Sequence, residues 1–72
     1  MDQSPSLYEP DRLLRLSAVT ARTGLNRSSL YDVLAKDPTF PRPVKIGRIS
    51  AWSERELSAW IEARKAERGT AA

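Results

Sequence analysis

Apolar residues recur at helical spacing in two separate parts of the chain, one near the middle and one near the C-terminus. Each set repeats at i, i+3 and i+4, the spacing that places side chains on one face of an α-helix. The two sets are Leu30, Val33 and Leu34, and Leu57, Trp60 and Ile61. The pattern predicts an amphipathic helix over residues 27–36 and a second one from residue 54 to about residue 68.

Local signals mark the ends of these helices and indicate a shorter helix before them. Ser17 is an expected N-cap for a helix over residues 18–23, and Gly24 can end that helix in the left-handed conformation. Asn26 is a second N-cap, and the Asp-Pro step at 37–38 ends the helix that it begins. Two short helices joined by such a turn form a helix-turn-helix, although an ordinary helical hairpin has the same spacing.

Residues 44–52 alternate in polarity around Gly47-Arg48, and a glycine at the first of two loop positions suits a type II′ β-hairpin turn. The predicted pairs are Val44 with Ala51 and Ile46 with Ile49 on an apolar face, and Lys45 with Ser50 on a polar face. We expect the hairpin to be half-buried, with its apolar face against the core. A capping box at residues 53–56 then begins the last helix, and Gly69 follows its end.

The order of the predicted elements is strand, helix, helix, hairpin and helix, because residues 12–16 (Arg-Leu-Leu-Arg-Leu) fit a short strand. This is the order of a winged helix-turn-helix, a mainly α fold with a small β-hairpin. The predicted domain covers residues 12–68, between a flexible N-terminal tail of residues 1–11 and a disordered C-terminus of residues 69–72. A domain this small needs its large side chains inside, so we expect both tryptophans to pack in the core.

The composition argues against catalysis and against a bound metal or cofactor. The chain contains neither cysteine nor histidine, which removes disulfides, thiolate zinc sites and the commonest general base. The N-terminus lacks a basic and apolar leader, and no apolar run approaches the roughly 18 residues of a membrane span. We therefore expect a cytoplasmic protein that is not an enzyme, with no cofactor, no small-molecule ligand and no membrane partner.

Charge is distributed unevenly along the chain, whose net charge is +3. Residues 1–11 carry three acids and no cation, and residues 49–72 carry four of each. Residues 12–48, the basic block, carry eight cations against two acids, a net charge of +6. A block of this kind is an electrostatic footprint for a polyanion such as nucleic acid, although a solvated surface has the same composition.

The candidate DNA contacts lie first on the exposed face of the helix over residues 27–36. In a helix-turn-helix the N-terminal residues of the second helix reach base edges in the major groove, so Arg27 is the best candidate for a guanine or a phosphate. Ser28 and Ser29 suit either partner, and Tyr31 suits a phosphate or a thymine methyl unless its ring covers the core edge. The complete set on this helix is Arg27, Ser28, Ser29, Tyr31, Asp32 and Lys36.

Asp32 complicates this surface, and the hairpin cations extend it. Asp32 lies near the centre of the predicted face, where it would repel phosphate, accept from a cytosine amino group or hold a neighbouring arginine. Lys45 and Arg48 would reach backbone phosphates, and Arg48 also the minor groove, unless the hairpin tip is only solvated. Asp32 and Asp37 leave a second interpretation open, a non-enzymatic adaptor that uses the same fold to bind a host protein.

Five segments of the chain, taken in order, match one known family. They are residues 12–16, 23–31, 40–48, 52–53 and 59–61. From Arg12 to Arg68 the chain resembles the AlpA-like phage regulators and the related excisionases, which share a MerR-like winged helix-turn-helix fold. By position, the resemblance places Arg27, Ser28, Ser29 and Tyr31 in the recognition helix and Lys45 and Arg48 in the wing.

The resemblance implies a protein of phage or mobile-element origin that binds double-stranded DNA sequence-specifically. Such proteins activate transcription, for example of an integrase gene, or act as excisionases that bend DNA during recombination. An integrase, or further copies of the chain on adjacent sites, are the implied partners besides DNA. Two departures from the family pattern are Asp32, where a basic residue is common, and the tight turn at Gly47-Arg48.

Overall fold

The computed structural model describes residues 10–71, which form three helices and one small antiparallel sheet. In chain order the elements are β1 (Leu13–Leu14), α1 (Leu16–Thr23), α2 (Arg27–Lys36), β2 (Val44–Ile46), β3 (Ile49–Ser53) and α3 (Glu54–Ala71). The central strand is β3, which pairs with β1 on one side and with β2 on the other. This arrangement confirms the predicted winged helix-turn-helix, with α1 and α2 as the helix pair and the β2–β3 hairpin as the wing.

Both predicted termini fall partly outside the described residues. Of the tail predicted for residues 1–11, residues 1–9 lie outside them, and so does residue 72 of the predicted disordered C-terminus. Among the helices that are described, none is long and apolar enough to cross a membrane.

Local capping residues shape the turn between α1 and α2 as the sequence predicts. Gly24 has a φ of 77° and donates its N–H to the Thr20 carbonyl over 2.8 Å, which closes α1. Asn26 begins α2, because its side chain accepts from the Ser29 N–H over 2.8 Å. Asp37, in an extended conformation before a proline, ends α2.

The start of α1 differs from the prediction that Ser17 caps it. The helix begins two residues earlier, at Leu16, and its N-cap is Arg15, whose carbonyl accepts the first helical hydrogen bonds. The cause is tertiary. Because β1 is held against β3 by strand pairing, the chain has only Arg15 in which to turn from strand to helix.

Two side chains cap α3. Ser53 Oγ accepts from the Glu56 N–H over 3.0 Å, so the predicted N-cap is confirmed. Asp11 adds a second cap, because its carboxylate accepts from the Arg55 N–H over 3.0 Å and from the Ser53 hydroxyl. The helix continues to Ala71, so residues predicted as disordered extend it. A glycine inside a helix costs only about 1 kcal/mol, and no proline follows to stop it.

The core lies between the sheet and the helices. Its main buried members are Leu14, Val19, Leu30, Phe40, Trp52 and Leu57. Trp60 is half-buried at the edge, where its ring meets Phe40 edge-on with 4.9 Å between the ring centres. Both tryptophans therefore pack in the core, as predicted.

The wing has the predicted register but not the predicted burial. All three predicted pairs are present, and Gly47 turns the chain with a φ of 61°. Most of the apolar face is uncovered, however, because Val44, Ile46 and Ile49 are 44%, 51% and 39% exposed, and only Ala51 at its far end is buried. Trp52 is fully buried and lies on the opposite face of β3 from Ile49, since successive strand residues alternate. The core thus takes Trp52 from the face that we predicted to be polar and only Ala51 from the apolar one.

Candidate nucleic-acid interface

The first turn of α2 presents residues that we predicted to reach DNA bases. Arg27 and Ser28 are exposed, whereas Ser29 is half-buried. Tyr31, one turn further on, is 42% exposed. The Asn26 cap occupies the Ser29 N–H, and the N–H groups of Arg27 and Ser28 have no carbonyl to bind within the helix. This end of α2 therefore combines exposed guanidinium, hydroxyl and amide donors with the positive end of the helix dipole.

Asp32 and Lys36, one turn apart on α2, form an ion pair of 3.1 Å. Their side chains remain 59% and 75% exposed, so the pair is a weak surface contact worth about 0.3 kcal/mol. The negative charge of Asp32, which would repel phosphate, is thus partly offset. Its partner is Lys36, whereas an arginine was one of the predicted partners.

The wing carries two exposed cations, Lys45 in β2 and Arg48 in the turn. Neither forms an ion pair or a side-chain hydrogen bond with any residue between 10 and 71. No such bond joins them to α2, so α2 and the wing form two separate groups of candidate contacts. Both groups would have to touch one extended ligand for the predicted site to act as a unit.

Three arginines of the basic block have structural partners. Arg12 and Arg22 both bind Glu54 at the start of α3, over 3.1 and 3.4 Å. Arg42 donates to two carbonyls at the C-terminal end of α2, over 2.9 and 3.1 Å, where the last helical turn leaves carbonyls without helical donors. These three arginines hold elements together, and their charge is engaged within the fold.

Four cations of the basic block have no ion pair or side-chain hydrogen bond to the rest of the described chain. They are Arg15, Arg27, Lys45 and Arg48. The sequence pattern predicted DNA contacts for all of these except Arg15. This residue is exposed and directly precedes α1, which corresponds to the helix that crosses the DNA backbone in helix-turn-helix proteins. In the sequence Arg15 is one arginine among several, and only the fold shows which of them lack a partner.

Asp37 joins the C-terminal end of α2 to α3. Its carboxylate accepts from the backbone N–H and the hydroxyl of Thr39 over 2.8 and 2.6 Å, and from the Trp60 Nε1–H over 3.3 Å. It also pairs with Arg64, whose guanidinium lies 5.1 Å from the centre of the Trp60 ring. The hydrogen bonds from Thr39, followed by those from Arg64 and Trp60, hold the pKa of Asp37 well below its ordinary value. Asp37 is therefore a joint within the fold, which removes one of the two acids that suggested a protein partner.

Comparison with known proteins identifies the family. Residues 12–65 match the family described as prophage CP4-57 regulatory protein (AlpA). The chain is 39% identical over 59 residues to the DNA-binding transcriptional activator AlpA of Escherichia coli (strain K12), covering 74% of this chain and 84% of that protein. It is 37% identical over 59 residues to the uncharacterized protein ORF88 of Enterobacteria phage P4, covering 81% of this chain and 66% of that protein. No solved structure is significantly similar to the chain. The chain therefore belongs to the AlpA family of prophage regulatory proteins.

Proposed function

We propose that this chain binds double-stranded DNA sequence-specifically and regulates transcription as a phage-type activator. The observation that carries the proposal is the separation of its cations into two sets. The arginines at the joints of the fold are paired, whereas those before α1, at the start of α2 and on the wing are exposed and have no partner in the described part of the chain. Cations that the fold leaves unpaired suit a polyanion. The Escherichia coli relative, a DNA-binding transcriptional activator, supports the same function and favours an activator over an excisionase.

In this mode of binding, the N-terminal turn of α2 enters the major groove. Arg27 reads a guanine edge or holds a phosphate, the hydroxyls of Ser28 and Ser29 bond to a base or a phosphate, and Tyr31 meets a phosphate or a thymine methyl. Lys36, at the C-terminal end of α2, contacts another phosphate. Every one of these groups lies on exposed or half-exposed surface, which supports the assignment.

Arg15 and the wing would hold the DNA backbone on either side of the recognition helix. Arg15 contacts a phosphate beside the start of α1, and Lys45 and Arg48 contact phosphates beside the wing, where Arg48 also reaches the minor groove. This function requires no catalysis and no cofactor, and it places the protein in the cytoplasm with the DNA.

A salt titration tests the charged part of the proposal. If Arg15, Lys36, Lys45 and Arg48 contact phosphates while Arg27 reads a base, the slope of log affinity against log salt concentration is about −3.6. Fluorescence anisotropy would measure it, first on a pool of short random-sequence duplexes and then on the duplex that the protein selects from that pool. A flat response to salt on both would overturn the proposal.

A matched pair of arginine variants tests the specific part. Arg27→Ala should weaken binding to the selected duplex by about 1–3 kcal/mol, because it removes a contact to a base edge. Arg68→Ala is the control, since Arg68 is an exposed cation near the far end of α3 with no ion pair or side-chain hydrogen bond to the described residues. Equal losses in the two variants would mean that only the total charge matters, and base recognition by Arg27 would be wrong.

A reporter gene placed beside the selected duplex tests regulation separately from binding. We expect the wild-type protein to raise expression and Arg27→Ala to lose most of that increase. Lower expression with the wild-type protein would indicate a repressor, which would leave DNA binding intact and overturn activation.

We also infer that several copies bind adjacent sites, because one recognition helix and one wing cover only a short length of duplex. Sedimentation analysis should find single copies without DNA and more than one copy on a duplex with repeated sites. A tight dimer without DNA would contradict this inference.

A further inference from the structure

The wing has an uncovered aliphatic face that the contacts proposed above do not use. Val44, Ile46 and Ile49 lie on the same side of the hairpin, because Ile46 pairs with Ile49 and Val44 is two residues before Ile46. Their exposure lies between 39% and 51%. A contiguous group of β-branched aliphatic side chains in water marks a contact surface, since covering it removes apolar area from water.

The charges around this aliphatic face indicate what covers it. Residues 38–53 contain three cations and no acidic residue. Arg42 is bound to carbonyls of α2, whereas Lys45 and Arg48 lack a partner in the part of the chain that is described. A second copy of this chain has a net charge of +3 and would bring no excess of acid to these cations. Duplex DNA offers phosphates together with the apolar carbons of its sugars, which matches cations beside an aliphatic face.

The size of the hairpin limits how it can lie on DNA. The minor groove of B-DNA is about 6 Å wide, whereas a strand pair needs roughly 10 Å for side chains on its two faces. Only the turn can enter a groove of ordinary width, so one face of the hairpin must lie along the edge of the groove. We propose that Val44, Ile46 and Ile49 pack against deoxyribose rings at that edge, while Arg48 at the turn reaches into the groove.

This assignment rests on the proposed DNA binding and adds an apolar contact to it. Lys45 lies on the opposite face of β2 from Val44 and Ile46, so its ammonium group can reach phosphates across the groove. The wing then has a different function on each side, with apolar contact to sugars on one and charge contact to phosphates on the other.

Apolar and charged contacts differ in their response to salt, and this difference provides the test. The double variant Ile46→Thr/Ile49→Thr keeps β-branched side chains in the strands but replaces apolar groups by hydroxyls. We expect its affinity for the selected duplex to fall about tenfold, given the apolar area available on two half-exposed isoleucines. Its salt slope should equal that of the wild-type protein because no charge is lost. Arg48→Ala is the comparison, and its slope should be shallower by about 0.9.

Hydroxyl-radical footprinting provides a second measurement, because the radical attacks deoxyribose carbons. The wild-type protein should protect sugars at the minor-groove edge beside the wing. The double variant should lose this protection there and keep the protection around α2. Thermal melting of both proteins controls for folding, and Ile46→Thr alone is the substitute if the double variant melts much earlier.

Different results would overturn the aliphatic contact alone or DNA binding as a whole. Unchanged affinity and footprint in the threonine variants would overturn the aliphatic contact and leave DNA binding intact. Failure of the wild-type protein to bind any duplex would overturn both. Normal binding of the first copy with loss of the second would assign the face to contact between copies, which also overturns the contact with sugars.

Discussion

At its C-terminal end α2 is fastened to the rest of the molecule, whereas at its N-terminal end it has little more than its own cap. Arg42 binds the last carbonyls of the helix, and Asp37 reaches α3 through Trp60. At the other end the side chain of Asn26 accepts one N–H, and Arg27 has no partner among residues 10–71. The comparison shows that charges at the anchored end maintain the fold, while the charge at the free end is available to a ligand.

Anchoring the C-terminal end of α2 orients the groups at its N-terminal end. A helix that is held by side chains of its neighbours keeps its direction, so the groups at its free end are presented in a defined orientation before any DNA is bound. The anchoring residues need no contact with DNA to affect binding, because they position the residues that we propose make it. Substitutions at the two ends of α2 therefore separate a structural role from a role in binding.

We expect the largest difference in stability between substitutions of two aromatic residues, one beside the anchored end of α2 and one on its exposed face. Phe40 is 1% exposed beside the anchored end, and Tyr31 is 42% exposed on the presented face. Phe40→Ala should lower the free energy of unfolding by about 3–5 kcal/mol, because it leaves a cavity in a small core. Tyr31→Ala should change it by less than about 1 kcal/mol. Urea unfolding followed by circular dichroism measures both, and similar losses would contradict the burial described here.

Arg42 should affect stability where Lys45, three residues away, does not. Arg42→Ala should lower the free energy of unfolding by about 1–2 kcal/mol, because two carbonyls at the end of α2 lose a charged donor. Arg42→Lys keeps the charge but not the forked donor geometry, so it should recover only part of that loss. Lys45→Ala should leave stability unchanged and make the salt slope of DNA binding shallower by about 0.9. If the Arg42→Ala protein had normal stability, Arg42 would not help to hold the C-terminal end of α2.

Acid should destabilise the fold through Asp37 at the anchored end of α2 and through Asp11 at the start of α3. Folding lowers the pKa of Asp37, chiefly through the hydrogen bonds from Thr39, and lowers that of Asp11 chiefly through the Ser53 hydroxyl. The stabilisation is therefore complete above the ordinary aspartate pKa of about 3.9 and is lost as the pH falls below it. The melting temperature should drop below about pH 4 in the wild-type protein. Asp37→Asn should have a lower melting temperature at neutral pH and a smaller decrease of that temperature in acid. If the wild-type protein and the variant had the same pH profile, Asp37 would not join α2 to α3.

The smallest effect concerns the exposed pair on α2. Asp32→Ala should lower the free energy of unfolding by at most about 0.5 kcal/mol, because surface pairs at this spacing are weak. It should also strengthen binding to random-sequence duplexes about two- to fivefold, since it removes a negative charge and releases Lys36. Glu62→Ala is the matched control, because it breaks the pair with Lys65 on α3. A loss of binding to the selected duplex alone would show that Asp32 reads a base.

The features that the sequence predicted correctly are decided by near neighbours in the chain. Gly24 and Gly47 both have the positive φ that their turns require. Asn26 and Ser53 each accept from an N–H three residues later. Such turns and hydrogen bonds involve only a few consecutive residues, so the residue types at those positions are enough to predict them.

The features that were missed or wrong depend on distant residues. Ser17 has the right chemistry for an N-cap, but strand pairing of β1 starts the helix earlier. Trp60 and Arg64 bind Asp37 from 23 and 27 residues away, and no local pattern indicates that joint. The candidate contacts on α2 and the wing were predicted from helical and strand periodicity, whereas Arg15 could be distinguished only after the partners of the other arginines were known.

By itself, the sequence determined the class of fold, the positions of the caps and turns, and the presence of a basic block. Only the folded chain shows that most of the apolar face of the wing is exposed, and which cations of the basic block lack a partner among residues 10–71. An alternating strand defines two faces, but the position of the helices determines which one is covered. A count of arginines likewise gives the net charge, while the carboxylates and carbonyls across the fold determine how much of that charge is left for DNA.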